Sequence, residues 1–244
     1  MLKIKKISDY LTKSGQILTD TNVYIVSDEK DAAIIDCGGG IDRAIEYIRK
    51  SELNLKYIIL THSHFDHIYY LDKLKEEFKD AKVVASHNMD IKDLDINLLY
   101  SVGENNRKTD VDIFVKDKDE LYLNKAEKSF VDKDIKERLD IKAGDEMVDF
   151  SKDEAVKFVF YETPGHTPDS ICIYLIYGNK KYLFSGDTIF KDGVGRSDFY
   201  GGSSEYLRAS LRKLKRIIQG DAIVFPGHGE NTVFRDWKDV FRLV

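Results

Sequence analysis

Five of the six histidines in this chain fall in segments that can share a metal centre. His62, His64 and His67 lie in Thr61-His62-Ser63-His64-Phe65-Asp66-His67, His166 follows Thr163-Pro164-Gly165, and His228 follows Pro226-Gly227. With Asp66 and Asp187, the latter after Ser185-Gly186, they make seven nitrogen and oxygen donors, enough for two divalent cations. Such ions lower the pKa of a bound water toward about 7, so the set points to hydrolysis by a metal-bound hydroxide. No serine or cysteine nucleophile is then required, and Cys37 and Cys172 read as packing residues. A histidine taken alone is more often hydrogen-bonded or at the surface. Three within six residues, with two more after Pro-Gly, reverse that expectation. His87 follows Val83-Val84-Ala85 without such context and reads as structural.

Strand ends must deliver these donors. Val23 to Val26 and Ala32 to Asp36 read as strands split by the turn Ser27-Asp28-Glu29-Lys30, and Gly38-Gly39-Gly40 leads into a helix with Ile41, Ala44, Ile45 and Ile48 on one face. Tyr57 to Leu60 is a buried strand ending at the histidine motif, Leu71, Leu74 and Phe78 keep helical spacing, and Val83 to Ala85 is the next strand. That alternation predicts an α/β arrangement. Strands follow at Val156 to Tyr161, Ile171 to Tyr177 and Tyr182 to Phe184, the last two joined by a hairpin turn at Gly178-Asn179-Lys180-Lys181. The unbroken apolar run from Ile171 to Ile176 predicts a strand covered on both faces. Ser203 or Ser204 caps a helix carrying Leu207, Leu211, Leu214 and Ile218, and Ala222 to Phe225 is the final strand. In an extended segment His62 and His64 face the same way, while Asp66 and His67 lie where the chain turns into a helix. His166, Asp187 and His228 each sit just past a strand, which gathers all of them at one sheet edge. All three prolines, Pro164, Pro168 and Pro226, flank these segments and stiffen them.

From about Met89 to Asp145 the composition shifts toward Lys, Asp and Glu, and this range reads as a charged insertion, helices or a hairpin, within one domain spanning 1–244. A chain of 244 residues can bury one sizeable core. Its net charge of -5 comes without a basic run, which argues against nucleic acid as a partner. No stretch reaches the roughly 18 apolar residues of a membrane span, so no membrane partner is expected. Two well-separated cysteines fit a reducing compartment, and the expected location is the cytoplasm. In Gly193-Val194-Gly195-Arg196-Ser197-Asp198, the Arg196 guanidinium offers a fork for an anionic substrate group or for a salt bridge.

The combination of Thr61-His62-Ser63-His64-Phe65-Asp66-His67, Thr163-Pro164-Gly165-His166-Thr167-Pro168, Phe184-Ser185-Gly186-Asp187-Thr188, Gly195-Arg196-Ser197-Asp198 and Pro226-Gly227-His228-Gly229 resembles the metallo-β-lactamase superfamily, specifically its glyoxalase II-like hydrolases. The resemblance implies an αββα sandwich with the site at one edge. It implies that His62, His64 and His166 hold one ion, that Asp66, His67 and His228 hold a second, and that Asp187 bridges them. It also matches Asp36 to an acidic residue that supports the ligand loop from behind. Zinc is the first expectation for both ions, and iron or manganese also suit mixed nitrogen and oxygen donors. The substrate it implies is a small thioester or ester, with Asp66 orienting the nucleophile. A bridging aspartate sets the chain apart from the β-lactamases, so antibiotic hydrolysis is not expected.

The chain departs from that pattern in several places. After His228 16 residues follow in this sequence, so the helical carboxy-terminal domain with which glyoxalase II enzymes grip glutathione is not expected. Tyr69-Tyr70 and Asp169 replace residues that are usually small or glycine, and Cys37 replaces a frequent proline. Tyr70 is either a core-facing helix residue or a narrowing of the pocket mouth. The alternatives on the same scaffold are a mononuclear iron oxygenase resembling persulfide dioxygenase, a lactonase, and a nuclease, the last disfavoured by the acidic balance.

Overall fold

The computed structural model describes residues 1–13, 16–90, 108–124 and 155–238. Alternating apolar side chains build two six-stranded sheets. Along β2 (Gln16–Ser27), Val23 and Ile25 turn to one face and Tyr24 and Val26 to the other. In β3 (Asp31–Ile35) Ala32 and Ile34 part from Ala33 and Ile35 in the same way, and in β4 (Asn54–Ile59) Ile58 parts from Tyr57 and Ile59. This period of two gives each strand two buried faces. With β1 (Lys3–Lys13), β5 (Lys82–Ser86) and β6 (Ile113–Val115) they form the first sheet, in the order β1-β2-β3-β4-β5-β6.

The second sheet contains β7 (Glu120–Tyr122), β8 (Lys157–Glu162), β9 (Ile171–Tyr177), β10 (Lys180–Gly186), β13 (Ile223–Pro226) and β14 (Thr232–Val233), in the order β14-β13-β10-β9-β8-β7. A two-stranded ribbon, β11 (Ile189–Phe190) with β12 (Gly193–Val194), follows β10. The inner faces meet through Tyr24, Ile35 and Ile59 of one sheet and Phe158, Phe160, Ile173, Phe184 and Phe225 of the other. Phe184 stacks on Phe225 with centroids 5.1 Å apart, and Tyr24 meets both edge-on.

Helices cover the outer faces. α1 (Ile41–Lys50) buries Ile41, Ala44, Ile45 and Ile48, and α3 (Leu71–Glu77) buries Leu71 and Leu74, all in one cluster with the outer face of the first sheet. α4 (Ser204–Ile217) buries Leu207, Leu211 and Leu214 against Cys172, Tyr174, Leu183 and Val224 of the second. Its amino-terminal cap is Ser203, whose Oγ accepts from the Tyr206 main-chain N–H at 3.3 Å. The result is the expected αββα sandwich.

Within the range 89–145 read as a charged insertion, residues 113–115 and 120–122 are edge strands of the two sheets, β6 parallel to β5 and β7 antiparallel to β8. Three-residue strands at a sheet edge bury too few side chains to print a pattern on the sequence. Of that range, 91–107 and 125–145 lie outside the described residues. His62 and His64 lie past the end of β4 in an irregular loop, His64 with an extended backbone at φ -59 and ψ 142. The carbonyl of Thr61 takes the Ile171 N–H of β9 at 2.9 Å, which docks that loop on the second sheet.

Candidate metal centre

All seven donors converge where four strands end. The β4 end leads to His62 and His64, then to α2 (Phe65–Ile68) with Asp66 and His67. The ends of β8, β10 and β13 lead to His166, Asp187 and His228. His62, His64, His166 and Asp187 form one group and Asp66, His67 and His228 another, with one donor atom from each residue within 4.8 Å of the others in its group. Asp187 touches both groups: its Oδ2 lies 3.4 Å from His166 Nε2 and 3.3 Å from His228 Nε2, and its Oδ1 lies 3.3 Å from His67 Nε2. His64 Nδ1 and His166 Nε2 are 2.8 Å apart, and Asp66 Oδ2 is 3.4 Å from His228 Nε2.

Hydrogen bonds behind the imidazoles decide which nitrogen faces inward. Asp36, 2% exposed and at φ 60, accepts the Thr61 N–H on Oδ1 at 2.8 Å. On Oδ2 it accepts the Thr61 hydroxyl at 2.9 Å and His67 Nδ1 at 2.8 Å. A carboxylate only accepts, so His67 Nδ1 carries a proton and Nε2 is the nitrogen that faces the cluster. The Thr61 hydroxyl, having donated to Asp36, accepts from His62 Nδ1 at 3.0 Å, which leaves His62 Nε2 bare. His166 Nδ1 donates to the Arg196 main-chain carbonyl at 2.6 Å, and its Nε2 faces the cluster in the same state.

The His228 loop is held by β1 and β2. Asn22, 1% exposed, donates its side-chain amide to the carbonyls of Pro226 at 2.9 Å and Gly229 at 3.0 Å, and its main-chain N–H to that of Gly227 at 2.8 Å. The Ser8 hydroxyl donates to Asn22 Oδ1 at 2.6 Å, and the Tyr24 hydroxyl donates to Pro226 O at 2.7 Å. Lys6 reaches the Gly229 carbonyl too. Gly227 admits no side chain, because a Cβ there would sit 2.2 Å from Asp187 Oδ1 and 2.7 Å from His67 Cε1.

The cluster's electrostatics fit a cation. Burial holds His62 well below the ordinary imidazole range and His64 down to about 4, so both stay neutral, the ligating form. Burial also opposes charge on His228 and His67, yet Asp187 and Asp66 push His228 up to about 10, and Asp187, Asp36 and Asp66 raise His67. Asp187 is held well below the carboxylate range by His67, His166 and His228 against its burial. The two carboxylates thus demand positive charge at this spot. Among the described residues, buried His62 Nε2 and Asp187 Oδ1 lack a hydrogen-bond partner, and donors so placed are what a divalent ion would take up.

The two substrate-binding candidates stand apart from this centre. The Arg196 side chain makes a two-pronged bond to Asp198, 2.9 Å from Nε and 2.8 Å from the terminal nitrogen, and lies over the Phe199 ring at 4.3 Å. Phe199 in turn meets His64 and His166 edge-on at 5.9 and 6.3 Å, so Arg196 borders the site through Phe199. Tyr70 stands in the turn before α3, partly buried against the outer core of the first sheet, with Lys73 over its ring at 5.6 Å. His87, read as structural, lies 3.0 Å from Glu162. Sequence reasoning missed Asn22 and the Arg196 carbonyl. The first had only the signal of an amide just before the apolar run Val23 to Val26, and the second acts through its main chain and leaves none.

The model of the metallo-beta-lactamase superfamily matches residues 17–228, and the chain belongs to that superfamily as one of its metallo-hydrolases. It is 32% identical over 217 residues to hydroxyacylglutathione hydrolase GloC of Haemophilus influenzae, covering 88% of this chain and 87% of the relative. Among solved structures, BLEG-1 B3 metallo-beta-lactamase superposes with a TM-score of 0.72 at 24% identity over 96% of this chain and 97% of that one. TTHA1623 in a di-iron-bound form superposes with a TM-score of 0.64 at 22% identity over 98% and 100%. At these identities the two structures speak for the fold alone. Among the described residues, no helix is long and apolar enough to cross a membrane.

Proposed function

We propose that this chain is a dinuclear metal-dependent hydrolase of a small thioester or ester, acting in the cytoplasm. His62, His64 and His166 would hold one ion, Asp66, His67 and His228 the other, and Asp187 would span both. The observation that carries this reading is Asp187, whose two oxygens reach His67, His166 and His228 at 3.3–3.4 Å, so that one carboxylate belongs to both donor groups. Two divalent ions bound there, zinc first by donor chemistry, would activate water near neutral pH and polarise a carbonyl.

The chain's own groups do the rest. Asp66 is buried, which raises its pKa, but His67 and His228 outweigh burial and keep it a carboxylate at neutral pH. It can therefore orient the attacking water and accept its proton. Asp36 and the Arg196 carbonyl orient His67 and His166 with Nε2 toward the cluster, and Phe199 packs edge-on against His64 and His166. Neither cysteine competes as a nucleophile: both are buried, and burial pushes the Cys172 thiol up to about 11. The thioester preference is supported by the GloC relative and by the resemblance to glyoxalase II, and Arg196 remains the proposed contact for an anionic substrate group.

Hydrolysis of S-lactoylglutathione and of a lactone panel by the metal-loaded protein tests the proposal. His64→Ala and Asp187→Ala should abolish turnover while leaving the fold largely intact. Near-wild-type activity in either variant would contradict the mechanism, and one iron per chain with sulfur-dependent oxygen uptake would favour the oxygenase alternative.

A further inference from the structure

A buried carboxyl outside the donor set joins two of the loops that carry it. Ser63 stands between His62 and His64, and Asp169 stands three residues after His166. Ser63 Oγ donates to Asp169 Oδ1 at 3.2 Å, with Ser63 6% and Asp169 4% exposed. The main-chain bond from Ile171 N–H to Thr61 O at 2.9 Å closes the same seam, two residues before Ser63 in one loop and two after Asp169 in the other. Across that seam His64 and His166 face each other at 2.8 Å.

The loop around Asp169 is braced from within. Thr163 N–H donates to Ser170 O at 2.8 Å, Gly165 N–H donates to Thr167 O at 3.0 Å, and the Thr167 and Ser170 hydroxyls are 2.7 Å apart. Pull on Asp169 is therefore transmitted to His166 rather than absorbed by slack. Burial raises the Asp169 carboxyl above its ordinary range, against hydrogen bonding from Thr167 and Ser63, and its Oδ2 is buried without a partner among the described residues. Burying such a group costs stability, and a glycine or serine would fill the same turn without that cost. What Asp169 adds is a link to the segment between two ligand histidines.

We propose that Asp169 is a positioning residue which, through the Ser63 hydroxyl, sets His64 against His166 and thereby sets the affinity of the ion held by His62, His64 and His166. The inference rests on the two-ion reading above. It predicts a selective effect: the Asp66, His67 and His228 group is held by Asp36, Asn22 and Tyr24, and of these only Asp36 meets the seam, at Thr61 rather than at Ser63 or Asp169.

The test is zinc titration of the full chain against a chromophoric chelator, which resolves two affinities, with His166→Ala and His228→Ala showing which affinity belongs to which group. Asp169→Ala should weaken the first group's ion about 10-fold or more and leave the other within about 2-fold, in line with the usual effect of groups that orient ligands. Ser63→Ala should weaken the same ion, and Asp169→Asn, whose amide oxygen still accepts from Ser63, should restore it to within about 3-fold. Equal weakening of both ions with a lowered melting temperature of the metal-free protein would assign Asp169 a general structural role and overturn the proposal. Unchanged affinities would overturn it too. If Asp169→Ala does not fold, Ser63→Ala decides alone. Failure of the two-ion reading appears separately, as fewer than two ions bound to the wild type.

Discussion

Replacing Asp36 with Asn isolates the hydrogen bonds that set the imidazole tautomers. Both residue types tolerate a left-handed backbone, so φ 60 adds no strain to the comparison. The change swaps one carboxylate oxygen for an NH2 group in a site where all three neighbours donate: the Thr61 N–H, the Thr61 hydroxyl and His67 Nδ1. With NH2 at Oδ2 it opposes two donors, and at Oδ1 it opposes one. The second orientation is the cheaper, and it forfeits one bond to a charged acceptor, about 1.5–3 kcal/mol of stability in the metal-free protein. The surviving bonds lose the carboxylate charge, so His67 is held less firmly with Nε2 toward the cluster. Affinity for the ion held by Asp66, His67 and His228 should fall about 10–100-fold, roughly 1.4–2.7 kcal/mol. Urea unfolding of the metal-free protein and chelator competition measure the two effects independently. A D36N protein with wild-type stability and both metal affinities within about 2-fold would refute the tautomer argument.

Four further outcomes follow from the same structure. Asn22→Asp keeps the shape but turns a two-fold donor into an acceptor facing the Pro226 and Gly229 carbonyls, so it should destabilise the protein by about 2–4 kcal/mol and weaken the His228 ion, read by thermal unfolding with and without metal. Gly227→Ala drives a methyl into Asp187 and His67 and should strip both ions while the metal-free protein retains its circular dichroism; normal metal content in G227A would be incompatible with the site described. Cys172, raised to about 11 by burial, should resist thiol reagents at pH 8 until the protein is unfolded. Because its thiol ionises first in the unfolded chain, stability should decline as the pH rises from about 9 toward 11, and a Cys172→Ala variant should lose that part of the decline.

Much of this arrangement is legible in the sequence, for identifiable reasons. Residues such as Ile171 to Leu175 are buried on both faces of a sheet, so they print as an unbroken apolar run, and the donors follow those runs after small turn residues. β1 is hidden because, among its residues with described side chains, Ile7 and Leu11 alone are buried, set among lysines and polar residues. β6 and β7 are hidden because edge strands of three residues carry little pattern. The loop conformation of His62 and His64 was equally out of reach, since a two-residue spacing cannot tell a strand from a loop docked on a second sheet. The parts that set tautomers are the least legible. Asp36, Thr61 and the Arg196 carbonyl act through contacts between residues far apart in the chain, and a carbonyl is common to every residue type.

Metal content of the purified protein tests the central claim most directly. Elemental analysis before and after exhaustive chelation, joined to hydrolysis assays at each step, should find two divalent ions per chain, loss of thioester hydrolysis with their removal, and recovery on zinc readdition. A protein that hydrolyses its substrate undiminished after every divalent ion is gone would contradict the account.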